Sequence, residues 1–270
     1  MTGVKAGGVE TVLAAARAAG RPSLVTYVTG GIRDDWTGLL DAMAGAGADA
    51  IEIGLPFSDP ILDGPVIQRA SAEAIGRGAT LPGILAALRA WRSTAPRAVP
   101  LIAMTYASHA YSRGLGRFCR DLADAGITGT IIPDLPESEA GEYLNEAAAA
   151  GLDATLMVTP ATPASQMRLI ANRSRGFLYV MSVMATTGSR HERDDGAEWA
   201  TAARALRDSP RPVLIGVGID TPERAAAAAC HADGVIVGSA LVRQVLDGAT
   251  AADVAGSVAA LRAGVDQVRA

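Results

Sequence analysis

The sequence predicts an α/β fold, a closed (β/α)8 barrel of the TIM type with an extra N-terminal helix, formed as a single domain over residues 1–270. Three observations lead there. Eight short apolar segments recur along the chain, each followed by a helical pattern, and near-continuous apolar strands between crossover helices require a parallel sheet covered by helices. Eight such units in about 250 residues fit closure into a barrel, whereas an open doubly wound sheet usually uses fewer. Finally, Glu52, Asp63, Tyr106, Asp134, the segment Thr186-Thr187-Gly188, Gly218 and Gly238-Ser239 all lie at or just beyond strand C-termini. The chemistry is therefore expected on one face of the barrel.

Residues 9–19 form the extra helix, ended by Gly20 and the helix-breaking pair Arg21-Pro22. Strand 23–29 follows, then Gly30-Gly31, a helix over about 35–46 stopped at Gly47, and the strand 50-AIEIG-54. Helical patterns cover about 66–77 and, after Leu81-Pro82, about 83–92. The strand 99-VPLIAMT-105 is apolar on both faces and runs into the polar loop 106-YASHAYSRG-114, before a helix ending at Gly126. The unit then repeats with strands 129–133, 153–158, 176–181, 212–216 and 233–238, the first three followed by 134-DLPE-137, 159-TPATP-163 and 182-SVMATTGSRHERDDG-196. No linker is long enough to divide domains.

Composition narrows the function classes. With 24 basic and 28 acidic residues the formal net charge is −4, and no basic run interleaved with aromatics suggests nucleic acid. Cys119 and Cys230 lie in Ala-rich helical sequence and, with three histidines, give no metal-ligand spacing. The N-terminal MTGVKAGGVE has no apolar core of a signal peptide, and no apolar run reaches the length of a membrane span. A cytoplasmic protein with no membrane partner is expected.

The stretch 51-IEIGLPFSDPILDGP-65 organises the rest. If Ile51, Ile53 and Leu55 face the helices, alternation turns Glu52 into the barrel. A carboxyl there must be hydrogen-bonded, neutralised or working; the plainer reading is a salt-bridged or edge-exposed Glu, although no Lys or Arg follows until Arg69. The loop after it holds three prolines, two glycines and the acids Asp59 and Asp63, a rigid shelf rather than a spacer. Later, Gly216 and Gly218 in 214-LIGVGI-219, and Gly238-Ser239 before a short helix, offer backbone N–H groups to an anion in the seventh and eighth loops, where barrels often hold phosphate. Thr187-Gly188 supplies further donors from loop six. Tyr106 either lines the pocket or caps the barrel top, Asp134 either caps a loop or faces a partner, and Thr155, Met157 and Tyr179 read as core. His109, His191 and His231 read as loop or surface residues.

These motifs together resemble the tryptophan synthase alpha subunit family. The agreement runs from about residue 9 through the last strand and rests on 52-EIGLPFSDPILDGPVIQ-68, 104-MTY-106, 133-PDLP-136, 159-TPATP-163, Thr187-Gly188, 216-GVGI-219 and 233-DGVIVGSALV-242. The resemblance implies a barrel that cleaves indole-3-glycerol phosphate to indole and glyceraldehyde 3-phosphate with no metal or organic cofactor. It implies Glu52 as general acid/base, Asp63 as the second carboxylate, and Gly188, Gly218, Gly238 and Ser239 around the phosphate, with Thr187 beside them and Tyr106 near the substrate. Pro56 and Asp59 match the loop facing a tryptophan synthase beta subunit. The chain departs from the family pattern at 107-ASH-109, at Ala185 in 185-ATTG-188 and at 30-GGIR-33. Those departures leave open a standalone or duplicated lyase that releases free indole, and a weakly catalytic barrel that activates a beta-type partner. An isomerase or aldolase on another phosphorylated substrate would share the phosphate loops, but Schiff-base chemistry would need a strand-end lysine and the sole lysine is Lys5.

Overall fold

Strand alternation and helix punctuation build the molecule as the sequence predicts. The computed structural model describes residues 8–95, 97, 99–181, 197–216 and 218–268. The strands are β1 (Ser23–Thr29), β2 (Ala50–Gly54), β3 (Leu101–Met104), β4 (Gly129–Ile131), β5 (Asp153–Val158), β6 (Leu178–Met181), β7 (Val213–Gly216) and β8 (Gly234–Val237). They pair in parallel in chain order, and β1 pairs β8 to close the barrel. The helices are α1 (Val9–Ala18), α2 (Thr37–Gly45), α3 (Pro65–Gly76), α4 (Leu81–Thr94), α5 (Ala107–Tyr111), α6 (Leu115–Asp124), α7 (Gly141–Ala149), α8 (Ala164–Arg173), α9 (Ala197–Ala205), α10 (Pro222–Ala229), α11 (Ser239–Leu246) and α12 (Ala251–Asp266). Among the described residues no helix is long and apolar enough to cross a membrane.

Local chemistry sets the boundaries. Thr80 and Thr221 accept hydrogen bonds from Gly83 N and Arg224 N, capping α4 and α10, and Thr250 forms a reciprocal capping box with Asp253 at α12. Gly126, at φ +81°, ends α6 in a conformation a side chain resists. Several boundaries differ from the sequence expectation, β3 and β6 being shorter and α4 longer than expected, and two differences have a clear local cause. β4 stops at Ile131 rather than residue 133, because Pro133 has no N–H to extend a ladder. The polar loop after β3 contains the short helix α5, whose first turn is capped by Asp134 Oδ1 accepting from Ala107 N at 2.8 Å.

Alternation sorts the core into two bodies. Ile51, Ile53 and Leu55 pack outward among the helices. Val25, Ala50, Ile102, Ile131, Phe177, Tyr179, Leu214 and Ile236 fill the barrel interior, joined by Val9 and Leu13 of α1. The last two, four residues apart on one helix face, are fully buried, and each contributes about 1.5–3 kcal/mol of apolar burial. Helix α1 therefore plugs the barrel at the N-terminal ends of the strands. Glu10 N donates to Asp153 Oδ2 at 2.9 Å, Glu10 Oε2 accepts from Gly176 N at 3.1 Å, and Arg17 pairs with Asp233 at 3.2 Å. With that mouth stoppered, the cavity that reaches the interior among the described residues lies at the carboxyl ends.

Candidate active site

At those carboxyl ends a cavity of about 190 Å³ is lined by Tyr27, Glu52, Asp63, Met104, Tyr179, Gly218, Gly238 and Ser239, among others. A larger hollow of about 450 Å³ opens at the opposite end, beside Arg17, Arg21 and Asp233. It is remote from both acids. Its Arg17 already binds the carbonyls of Ser209, Arg211 and Arg207, and its Arg21 grips Asp49 with both guanidinium nitrogens.

Glu52 sits on β2 facing inward, in register with Tyr27 on β1 and Ile102 on β3. It is 1% exposed, and its Oε2 has no hydrogen-bond partner among the described residues. Burial pushes its carboxyl up to about 8, and the nearby charge of Asp63 adds to the rise. The acid is therefore held protonated near neutrality. Asp63, on the loop after β2, is raised to about 6 by burial, opposed by a hydrogen bond from Tyr106. Two carboxyls of unequal pKa thus face one cavity, the arrangement that divides proton donor from charged stabiliser.

Tyr106 fixes the second of these acids. Its hydroxyl donates to Asp63 Oδ2 at 3.1 Å and accepts from Leu62 N at 3.0 Å, while Phe57 stacks on its ring at 5.0 Å. The bond from Asp63 N to Pro60 O and that from Gln68 Nε2 to Asp63 O, 3.0 and 2.9 Å, brace the same loop. Tyr106 is not itself among the residues lining the cavity; it is buried behind Asp63 and Leu62, which are. For Asp134 the loop-capping reading has the geometry.

Opposite the acids, Gly238 is the N-cap of α11 and Ser239 its first residue, with no side chain capping the helix end. The first-turn N–H groups have no intrahelical acceptor, and the positive end of the helix dipole points at the same place. Gly218 holds φ +50° on the adjoining loop. Thr187 and Gly188, with Ala185 and His191, lie outside the described residues. Pro56 is half-buried at the base of the second loop, and Asp59 is exposed near its tip, where Ile61 is 77% exposed. The departures from the family pattern at 30–33 and 107–109 make local contacts. Gly30 N donates to Gly54 O at 2.9 Å, Arg33 bonds Ala249 O at 2.9 Å, and His109 Nδ1 lies 3.1 Å from Thr105 Oγ1 with its ring stacked on Phe57.

The tyrosines on the cavity wall were the part least visible in the sequence. Tyr27 and Tyr179 each lay their ring across the terminal glycine of the next strand: a Cβ on Gly54 would collide with the Tyr27 hydroxyl, and one on Gly216 with the Tyr179 hydroxyl. Inward alternation on β1 and β6 hints at both residues. Their lean over the neighbouring strand depends on barrel register, which no single strand encodes.

The closed barrel, with its paired acids and a bare helix end turned to the same cavity, has the build of a TIM-barrel enzyme that works by acid–base chemistry. A family profile described as "Tryptophan synthase alpha chain" matches residues 13–267. The tryptophan synthase alpha chain of Halorhodospira halophila is 42% identical over 241 residues, covering 88% of each chain. That of Phenylobacterium zucineum is 43% identical over 230 residues, covering 84% of this chain and 82% of its own. Among solved structures, tryptophan synthase of Mycobacterium tuberculosis superposes with a TM-score of 0.85 at 34% identity, covering 97% of this chain and 99% of that one. The alpha subunit from Legionella pneumophila gives 0.87 at 29% identity, with 97% and 100% coverage. The chain belongs to the tryptophan synthase alpha chain family, and its activity is the family's lysis of indole-3-glycerol phosphate.

Proposed function

We propose that Glu52 and Asp63 carry out this cleavage, Glu52 moving the protons and Asp63 steadying the charge. The observation that carries the assignment is the buried Glu52 carboxyl with one unpartnered oxygen, facing the cavity it shares with Asp63. The carbon–carbon bond can break only after the indole ring accepts a proton at C3. Glu52, protonated near neutrality, supplies that proton, and positive charge develops on the ring nitrogen. Asp63, ionised above about pH 6, accepts the ring N–H hydrogen bond and stabilises that charge. The Glu52 carboxylate then takes the proton of the glycerol hydroxyl next to the ring. The C–O bond becomes a carbonyl, the bond to C3 breaks, and its electron pair returns to the ring, so that indole and an aldehyde leave and Glu52 is protonated again.

Gly218, Gly238 and Ser239 would hold the phosphate, joined by Thr187 and Gly188 from loop six. Binding at this remote end positions the reacting carbon between the acids and supplies energy for the chemical step. Tyr106 acts as a positioning residue through Asp63. The test is incubation of the purified chain with indole-3-glycerol phosphate while indole is followed. Indole release by the parent, with a loss of at least about 10²-fold in Glu52→Gln, supports the assignment. A variant that retains more than half of parental turnover overturns it.

A tryptophan synthase beta subunit is the natural partner for the loop carrying Pro56, Asp59 and the exposed Ile61. Coupling to it should be weaker than in an ordinary alpha subunit. The segment 107–109 departs from the family pattern, and Ala185 resists the positive-φ conformations open to glycine at a cost of about 1 kcal/mol. Titrating a beta subunit into the chain should give weak binding and a small gain in indole formation, enlarged by Ala185→Gly. Tight one-to-one binding with a large activation of the parent would contradict this.

A further inference from the structure

A cavity of about 300 Å³ lies between the second loop, the turn into α4 and helix α5, and shares no lining residue with the cavity of the two acids. Leu55, Pro56, Leu81, Pro82 and Ile84 make most of its wall apolar. His109 and Arg113 bring the ionisable groups, and no acid lines it among the described residues. Arg113 is poorly matched by its neighbours. Its ion pair to Asp121 spans 3.5 Å, Asp121 is shared with Arg117 at 3.8 Å, and Arg113 Nε has no hydrogen-bond partner among the described residues. One carboxylate thus stands against two guanidinium groups. Burial, and then the Arg113 charge, push the His109 imidazole below its ordinary value. Its Nδ1 faces the Thr105 hydroxyl at 3.1 Å, and Nε2 has no described partner. The N-terminus of α4 opens on the same cavity: Thr80 accepts from Gly83 N, Pro82 has no N–H, and the Leu81 N–H has no intrahelical acceptor.

These groups suit one kind of ligand. A single guanidinium beside a neutral imidazole and the positive end of a helix favours a monoanion. The flat guanidinium fork matches a carboxylate, and the apolar walls call for an organic body behind it. Occupancy also has a route to the chemistry. Leu55 and Pro56 lead into Phe57, and the His109 ring stacks on Phe57 at 6.2 Å. Phe57 stacks in turn on Tyr106 at 5.0 Å, and the Tyr106 hydroxyl donates to Asp63 Oδ2 at 3.1 Å. A ligand that shifts His109 or Pro56 therefore moves the ring that backs the bond holding Asp63.

We propose that this cavity is an effector site for a small organic carboxylate, held by Arg113 and His109, whose occupancy alters cleavage through Phe57, Tyr106 and Asp63. The site stands on the cavity and its charges alone, and its effect on turnover rests on the role given to Asp63 above. Coupling of this kind requires only that the ligand bind two arrangements of the second loop unequally.

The experiment uses the full chain with benzoate, and with benzamide as the uncharged counterpart. The sequence holds three histidines, so the His109 imidazole resonances are assigned by their loss in His109→Gln. Benzoate should shift them saturably and benzamide should not. Arg113→Gln should weaken benzoate binding by at least about tenfold, the scale of a hydrogen bond to a charged group, and Arg113→Lys, which keeps the charge without the fork, should fall between. Saturating benzoate should change kcat or KM for indole formation by about fivefold in the parent, and the change should be lost in Arg113→Gln. Inhibition that is equal in parent and Arg113→Gln, with the His109 resonances unmoved, would place benzoate among the two acids and overturn the inference. A saturable shift with unaltered cleavage would overturn the effector role. A parent that releases no indole would overturn the cleavage reading and the effector role with it, while the His109 resonances would still decide the carboxylate site.

Discussion

Replacing Glu52 by Gln separates the two consequences of burying this carboxyl, one for turnover and one for stability. The ordinary value of the group is 4.5, and in the fold it stands at about 8. Below pH 4.5 native and unfolded chains both hold the proton, and burial carries no ionisation penalty. Between the two values only the native chain holds it, so each rise in pH favours unfolding; above pH 8 the full penalty is present. At about 1.4 kcal/mol per pH unit, the interval amounts to about 5 kcal/mol of stability lost as pH rises. Glutamine has the same shape and does not titrate. Both side chains leave a polar atom unpartnered at the buried position, so the informative quantity is the pH dependence of the stability difference, not its absolute size. Urea unfolding of parent and Glu52→Gln at about pH 5 and about pH 8.5 should show the variant gaining on the parent by at least about 3 kcal/mol at the higher pH. A difference that is the same at both pH values would refute a carboxyl held protonated by burial.

Three further substitutions probe the surroundings of the acid pair. Tyr106→Phe removes the hydrogen bond that opposes the burial of Asp63, so the acid limb of the kcat/KM profile should move up from about pH 6, by about one unit; an unmoved limb would show that Tyr106 does not act through Asp63. Gly54→Ala places a methyl group where the Tyr27 hydroxyl lies, and should cost about 1–3 kcal/mol in stability as the ring is forced aside; double substitution with Tyr27→Ala should recover much of that loss, and strict additivity would contradict the contact. Gly218→Val meets no protein atom within 4 Å of its Cβ, so its effect comes from φ +50° rather than from a clash. Strain of about 1–2 kcal/mol in that loop should raise KM by about tenfold with little change in urea midpoint, and an unchanged KM would remove Gly218 from the phosphate site.

The barrel was legible because its information is local. Period-two alternation in β1 and β2, glycines such as Gly126 closing helices, and threonine caps such as Thr80 each act within a few residues, and together they specify eight units in order. Glu52 was legible for the same reason: one acid in an apolar strand can point only in or out. Its neighbours required the third dimension. The placement of Tyr27 beside Glu52 follows from the pairing of β1 with β2, and the grip of Tyr106 on Asp63 joins residues 43 positions apart. Helix α5 was read as loop because its five residues carry too little pattern to be seen; its cap, Asp134, comes from the next unit of the barrel.

The central claim is that Glu52 delivers a proton while Asp63 remains charged. It is tested most directly by the pH dependence of a single turnover, with enzyme in excess over indole-3-glycerol phosphate and indole release followed from pH 5 to pH 10. The account predicts a bell with limbs near 6 and near 8, set by ionisation of Asp63 and of Glu52, and loss of the upper limb from the residual activity of Glu52→Gln. A parental rate that keeps rising through pH 9, or an upper limb that persists in Glu52→Gln, would contradict it.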